Sequence, residues 1–446
     1  MRTLRELRRY PSAVAGLVII AVFVFVAIYT VIAIPYSEAI LLWRAGSAGK
    51  VWGDNARRAA PVWFDWFTRD KLPRTLVLRS GEETTTVQPI GDGMKRVETV
   101  FDFNYAYDGF PSELNVFTKG DFEEAKAEIS VYWRKPARET ITLIENYRIR
   151  EDSRYPISQD QDLRAVLGVS PHVGLFAQEL GVPAADMEVL QGDYQVVIRS
   201  EIPEGDEFLE TKLVVYGQVE GWGGTDHLRR DIVVALLWGT PIGLLFGVVA
   251  AVGAQVSTFV LGGIGTWFGG KLDAIFHRLT ELNMILPMLA ILIMFAHFYS
   301  RTIWTILGLV ILLNVFSASM KTYRAMFLQA KELPYIEAAQ AYGAGNLRII
   351  FRYLLPRALP ILLPQFVMVI PTFVFLEATL AVLGLGDPTL PTWGKVINDA
   401  QANSAMYMGQ YYWMVLPASL LMTVGLGFAL VGFALDRVFN PRLRTL

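Results

Sequence analysis

"AVAGLVIIAVFVFVAIYTVIAI" fills positions 13–34 without a single charged residue. As a helix it can cross the hydrocarbon core of a bilayer, roughly 30 Å thick, which takes about 20 residues. From roughly 36 to 226 the chain then reads as ordinary water-exposed protein, and from roughly 231 to 436 apolar spans return between short charged loops. Arg2, Arg5, Arg8 and Arg9 precede the first span, as they would in a cleaved leader. A leader's apolar run is only about 7–15 residues and ends at a small-x-small site. This longer run has no clear site after it, so it is expected to stay in place as a membrane anchor.

Composition supports a membrane protein with one large polar insertion. Of 446 residues, 53% are hydrophobic and only 18% charged, whereas soluble domains are nearer a quarter charged. A formal net charge of -2 speaks against a nucleic-acid partner, which requires a basic surface. The absence of cysteine excludes disulfides, thiolate metal sites and cysteine nucleophiles.

Five further spans are predicted at 238–262, 282–298, 303–319, 358–384 and 412–435. Lysine and arginine concentrate on the cytoplasmic side of short loops, and long translocated domains are largely exempt. One set of loops holds Lys271 and Arg278, then Lys321, Arg324, Lys331, Arg348, Arg352 and Arg357, then Arg437, Arg442 and Arg444. The opposite loops hold only Arg301 and Lys395. The expected fold is an α-helical membrane protein with six transmembrane helices and both termini cytoplasmic. Its segments are 1–35 (N-terminus and first helix), 36–226 (extracytoplasmic insertion) and 227–446 (five-helix core).

Within the insertion, the runs 74–80, 127–133, 139–147, 193–202 and 211–219 are rich in β-branched and aromatic residues and predict strands. A helical stretch is predicted over 161–191, interrupted at Pro171 and Pro183. Roughly 190 residues suffice to bury a core, so an α+β domain is expected. It would act as a docking platform or gate for an extracytoplasmic partner, or as a passive cap.

Signals for chemistry are few. "GTWFGGKL" places Gly265, Gly270 and Lys271 as in a phosphate-binding loop, but Leu272 stands where a magnesium-binding hydroxyl belongs. Its glycines are expected to allow close helix packing instead. His172, His227, His277 and His297 are scattered without metal spacing, and no G-x-S-x-G elbow occurs. No catalytic, cofactor or metal residue is assigned. Glu377 sits inside an apolar span, where an ionisable group is expensive, so it is expected to line a pathway or brace the bundle. Asp273, His277 and Glu281 recur every four residues beside Arg278 and predict an ion-pair cluster at the inner surface. Gly384 and Gly386 are expected to let the chain turn at the outer boundary.

The segment "EAAQAYGAGNLRIIFRYLLPRALP" at 337–360 lies between apolar runs, on the cytoplasmic side. Pro334 suits a first helical position and Gly343 a left-handed C-cap, so a short helix is predicted, followed by an amphipathic one from Leu347. About nine residues make a marginal helix in water. Ala338 and Ala339 would leave it a shallow face for a partner, unless the loop packs on itself.

This segment resembles the EAA loop of binding-protein-dependent ABC importer permeases, E-A-A-x3-G-x9-I-x-L-P. Glu337, Ala338, Ala339, Gly343, Leu355 and Pro356 fall at matching spacing, with Tyr353 where an aliphatic residue is usual. "GGTDHLRRD" (223–231) is similar to the G-T-D-x-x-G-R-D stretch of the dipeptide/oligopeptide/nickel C-type subfamily, with Arg229 for its glycine. "DAIFHRLTELNMILP" (273–287), "EATLAVLGLGDPTLPTWG" (377–394) and "NPRLR" (440–444) resemble further segments of that subfamily. The insertion lies outside the resemblance.

The resemblance implies a permease subunit in the cytoplasmic (inner) membrane of a prokaryote, with the EAA loop at about 331–357. Its short helix would couple to two ABC ATPase subunits, which supply the site for ATP and magnesium, this chain binding no cofactor itself. The implied partners are a second (B-type) permease subunit, an extracytoplasmic substrate-binding protein and membrane lipid. Di- or oligopeptides are the expected substrate, with nickel chelates and sugar-like ligands left open. Two other readings compete. A membrane-tethered sensor or adhesin would need only one anchor. A standalone channel or secondary carrier would need no cytoplasmic docking helix.

Overall fold

In lipid a backbone must satisfy its own polar groups, so uncharged apolar runs fold as helices. The computed structural model describes residues 10–44, 51–91, 93–122, 127–136, 139–183 and 185–439. The arginines at 2, 5, 8 and 9 and the 440–444 stretch lie outside the described residues. The chain forms two compact units, Met1–Arg44 with Val234–Leu446, and Ala45–Val233.

The first unit is helical. It contains α1 (Pro11–Ala33), α2 (Tyr36–Trp43), α3 (Ile232–Phe268), α4 (Gly270–Ile285), α5 (Met288–Phe298), α6 (Ile303–Val315), α7 (Ser319–Lys331), α8 (Pro334–Ala341), α9 (Asn346–Ile349), α10 (Leu355–Val382), α11 (Trp393–Ala402) and α12 (Tyr412–Phe439). Among the described residues, four helices are long and apolar enough to cross a membrane, or up to six if each bent pair is one span. The predicted span 282–298 is not one straight helix. α4 and α5 meet at 78°, because Pro287 cannot continue the α4 hydrogen bonds. α6 and α7 likewise meet at 46°, inside what was expected as the end of a span at 319.

Small residues let these helices approach closely, as lipid-embedded packing requires. A Cβ on Gly16 of α1 would lie 2.7 Å from the Gly427 carbonyl oxygen of α12. The short helix α11 is inserted into the bundle through Trp393, which is 2% exposed. Its Nε1 donates to the Leu236 carbonyl at 2.9 Å, and its ring meets Phe23 edge-on at 6.1 Å. A Cβ on Gly394 would lie 2.5 Å from the Ala378 carbonyl oxygen, so α10 and α11 touch backbone to backbone. Gly384 ends the turn after α10 in the left-handed region (φ 79°).

The second unit is built from two antiparallel sheets, with strands β1 (Leu76–Arg79), β2 (Thr85–Gly91), β3 (Met94–Tyr105), β4 (Glu113–Asp121), β5 (Glu128–Arg134), β6 (Thr140–Arg148), β7 (Asp152–Tyr155), β8 (Gly192–Pro203) and β9 (Glu207–Tyr216). The orders are β1-β9-β4-β7 and β2-β3-β8-β5-β6. Alternation puts Phe101, Phe103 and Tyr105 of β3 inward, beside Tyr194, Val196 and Ile198 of β8. Phe103 stacks on Tyr194 at 5.6 Å, and Trp133 meets Phe176 edge-on at 5.2 Å.

The predicted helical stretch 161–191 shrinks to Gln161–Leu167 and the four-residue Pro171–Gly174. Asp160 caps the first of these, and Gly168 (φ 72°) closes it. Beyond Gly174 the chain is held by a bridge between Ala177 and Val189.

The two ends of this unit are joined to each other. Ala60 bridges Val219 in parallel, the Arg58 amide donates to the Asp226 carbonyl at 3.0 Å, and the Ala59 amide donates to the Thr225 hydroxyl at 2.9 Å. Arg229 occupies the left-handed region (φ 68°) where the resembled motif has glycine. Its contacts offset that strain. The guanidinium pairs with Glu113, donates to the Asn55 carbonyl at 2.7 Å and lies 4.1 Å from the Tyr216 ring centroid.

This unit is expected to lose stability in acid through His172. Burial holds the imidazole below its ordinary value, with Glu113 opposing the shift. The native histidine therefore stays neutral, while the unfolded chain takes up a proton below about pH 6.5. Excess protons on the unfolded state make stability fall as pH drops through that value. Protection factors of β8 amides should fall between pH 7 and 5.5, and less steeply in His172→Gln. Glu220 and Asp231, both raised by burial, act in the opposite direction but equally in both proteins. Identical profiles would remove His172 from the account.

Candidate functional site

Pro334 opens α8 at its first position, and Gly343 (φ 75°) follows its C-terminus in the left-handed region. The amides of Tyr342, Gly343 and Ala344 return to the carbonyls of Ala338, Gln340 and Ala339 at 3.0, 2.9 and 3.0 Å. These bonds close the helix end.

The helix is two-faced. Ile336 (1% exposed) and Ala339 (8%) join Phe259, Phe327, Ile349, Ile350, Leu354 and Leu355 in one apolar cluster. Glu337, Ala338, Ala341 and Gly343 are exposed, and so is Tyr342, at 93%. The shallow face expected from Ala338 and Ala339 is therefore formed by Ala338 and Ala341, because Ala339 is one residue further round, on the seated side. Of the other motif residues, Leu355 is buried and Pro356 exposed. The amphipathic helix expected from Leu347 begins as α9, widens to a π-helical turn over Ile350–Leu354, and continues directly into α10.

Two polar links fix the helix that leads into α8. Arg324 of α7 grips Asp273 of α4 with three contacts, Nε to Oδ1 at 2.8 Å and to Oδ2 at 3.0 Å, and Nη2 to Oδ2 at 2.6 Å. Lys331, the last residue of α7, donates to the Trp267 carbonyl at 3.1 Å and lies 5.5 Å from that indole. The single ion-pair cluster expected from Asp273, His277, Arg278 and Glu281 is thus two separate groups. Glu281 takes Arg278 at 3.1 Å and His277 at 3.5 Å, while Asp273 belongs to Arg324. Arg324 was not singled out in the sequence, since its partner lies 51 positions away.

The phosphate-loop lookalike sits where α3 turns into α4. A Cβ on Gly265 would lie 2.7 Å from the Phe276 ring, so that glycine serves packing. Glu377 of α10 is 8% exposed, and the buried Thr392 at the start of α11 lies beside its carboxyl group.

Residues 243–445 match the family described as "Binding-protein-dependent transport system inner membrane component". Individual relatives agree. The oligopeptide transport system permease protein OppC of Bacillus subtilis is 30% identical over 224 residues, covering 50% of this chain and 72% of the relative. The dipeptide transport system permease protein DppC of the same organism is 29% identical over 224 residues, covering 50% and 69%. The peptidoglycan transport system permease protein YejE of Agrobacterium fabrum is 30% identical over 223 residues, covering 50% and 57%.

Proposed function

Because the chain belongs to the inner-membrane permease family of binding-protein-dependent transport systems, we propose that it forms one half of a peptide importer's translocation pathway and couples through α8 to ATPase subunits. The two-faced α8 carries this reading. An eight-residue helix is too short to be stable alone, yet its apolar side is seated in a cluster that includes Phe259 of α3 and Phe327 of α7. A push on the exposed side, at Glu337, Ala338, Ala341 and Tyr342, would pass into both helices without bending α8. The Arg324–Asp273 and Lys331–Trp267 links would keep α7 from yielding, so the load reaches the spans as rigid motion.

In this reading each bent helix pair is one span, giving six, with both termini and α8 on the cytoplasmic side. ATP and magnesium are bound by two ATPase subunits, and a second permease subunit completes the pathway. A substrate-binding protein delivers the ligand to the extracytoplasmic side. Peptides are the favoured substrate, since OppC and DppC are named as oligopeptide and dipeptide transport permeases.

Affinity purification of the full chain from its own membranes tests the assembly. Two ATPase subunits and one second permease per chain are expected, by native mass spectrometry. A chain that purifies alone under conditions preserving other membrane complexes would overturn the proposal.

A further inference from the structure

The helical unit holds a cavity that has no part in the coupling reading. It measures about 170 Å³, and its walls include Val31 and Tyr36, Trp238, Ile242 and Leu245 of α3, and Trp304 of α6. No charged side chain lines it. Its rim is open to the outside of the unit, since Val31, Tyr36, Leu245 and Trp304 are about half exposed. Its inner wall carries one unmet polar group. Trp238 is 4% exposed, and its indole N–H meets no acceptor among the described residues. A buried donor is costly to leave unpaired, so it favours a ligand that brings an acceptor.

Size and depth identify the ligand. Drug-sized ligands fill pockets of roughly 300–1,000 Å³, so this smaller, apolar cavity suits one slender hydrocarbon group. The Thr30 hydroxyl donates to the Leu237 carbonyl at 3.5 Å, so Trp238 lies level with the last turn of α1. Helix α1 has 23 residues, about the length of one crossing, so that level is an edge of the hydrocarbon. The aromatic lining agrees. Tyr36 and Trp238 have ring centroids 5.8 Å apart, and with Trp304 they match the belt of Tyr and Trp found at this depth. Here a phospholipid changes from acyl chain to ester carbonyl. A partner helix would offer an apolar side chain but no acceptor, because its backbone carbonyls are bonded within the helix. We propose that the cavity binds one acyl chain of a membrane phospholipid, with the ester carbonyl accepting a hydrogen bond from Trp238 Nε1.

The full chain, purified in detergent, is titrated with phosphatidylethanolamine carrying ester-linked chains, and separately with the ether-linked form, which lacks the carbonyls. Bound lipid is counted by native mass spectrometry. The ester lipid is expected to bind severalfold more tightly. Trp238→Phe keeps a ring but no donor, and should erase that preference while helical circular dichroism is unchanged. Leu245→Trp, on the exposed rim, fills the cavity and should weaken binding of both lipids severalfold. In membranes, a photo-crosslinking residue in place of Trp304 should capture lipid. Equal affinity for the two lipids in the unaltered chain, or a preference that survives Trp238→Phe, would overturn the proposal. Should Trp238→Phe not fold, binding of the ester lipid that is indifferent to Leu245→Trp would overturn it equally. So would capture of a second protein chain instead of lipid at position 304, since the cavity would then belong to a subunit interface.

Discussion

Ala338→Trp is expected to cut peptide uptake at least about tenfold while leaving the permease folded. Ala338 is exposed on α8, so a tryptophan there meets none of its own chain's core, and surface changes usually alter stability by no more than about 0.5 kcal/mol. It would meet an ATPase groove instead. Tenfold weaker docking corresponds to about 1.4 kcal/mol. Ala339→Trp, one residue on, is expected to behave oppositely. Ala339 is 8% exposed against the apolar cluster, and overpacking of that kind costs roughly 1–3 kcal/mol. The checks are uptake of labelled peptide, ATPase subunits retained on purification, and thermal unfolding of the purified chain. If Ala338→Trp transports normally and keeps its ATPases, the exposed side of α8 is not the docking face.

Trp393→Ala should be the most damaging single change in the helical unit. The side chain is 2% exposed in a cluster with Phe23, Leu244, Val374, Ala378 and Val424, so it joins α1, α3, α10 and α12 through α11. Removing a buried tryptophan costs on the order of 3–5 kcal/mol, and here it also leaves the Leu236 carbonyl without its indole donor. Trp393→Phe keeps most of the volume and should cost about 1 kcal/mol for the lost hydrogen bond. Thermal unfolding of the full chain in detergent, followed by helical circular dichroism, separates the two. Equal losses would mean that the hydrogen bond and not the packing secures α11.

The uncharged runs were readable because hydropathy measures composition, and α1, the middle of α3 and most of α12 are apolar throughout. Direction was not readable. The run 282–298 has the composition of a span, but Pro287 turns the chain by 78° within it. In the sheet unit, β1, β5, β6, β8 and β9 announced themselves by β-branched and aromatic residues. β3 (MKRVETVFDFNY) and β4 (ELNVFTKGD) did not, since polar residues on their outward faces dilute the signal. For the candidate site, the ends of α8 followed from Pro334 and Gly343. Which alanine faces outward depends on helix phase, and that is set by what Ile336 packs against. The Arg324–Asp273 pair is a tertiary fact that no local spacing encodes.

The joined ends of the sheet unit bear on its history. Residues 58–60 are knitted to 219–226 by backbone bonds, so the module closes on itself before the chain re-enters α3, and the family match begins only at 243. A module whose entrance and exit coincide can be spliced into a short loop without dictating the spacing of what flanks it. Such a graft can be gained, enlarged or lost in a lineage while the host machinery keeps its stride.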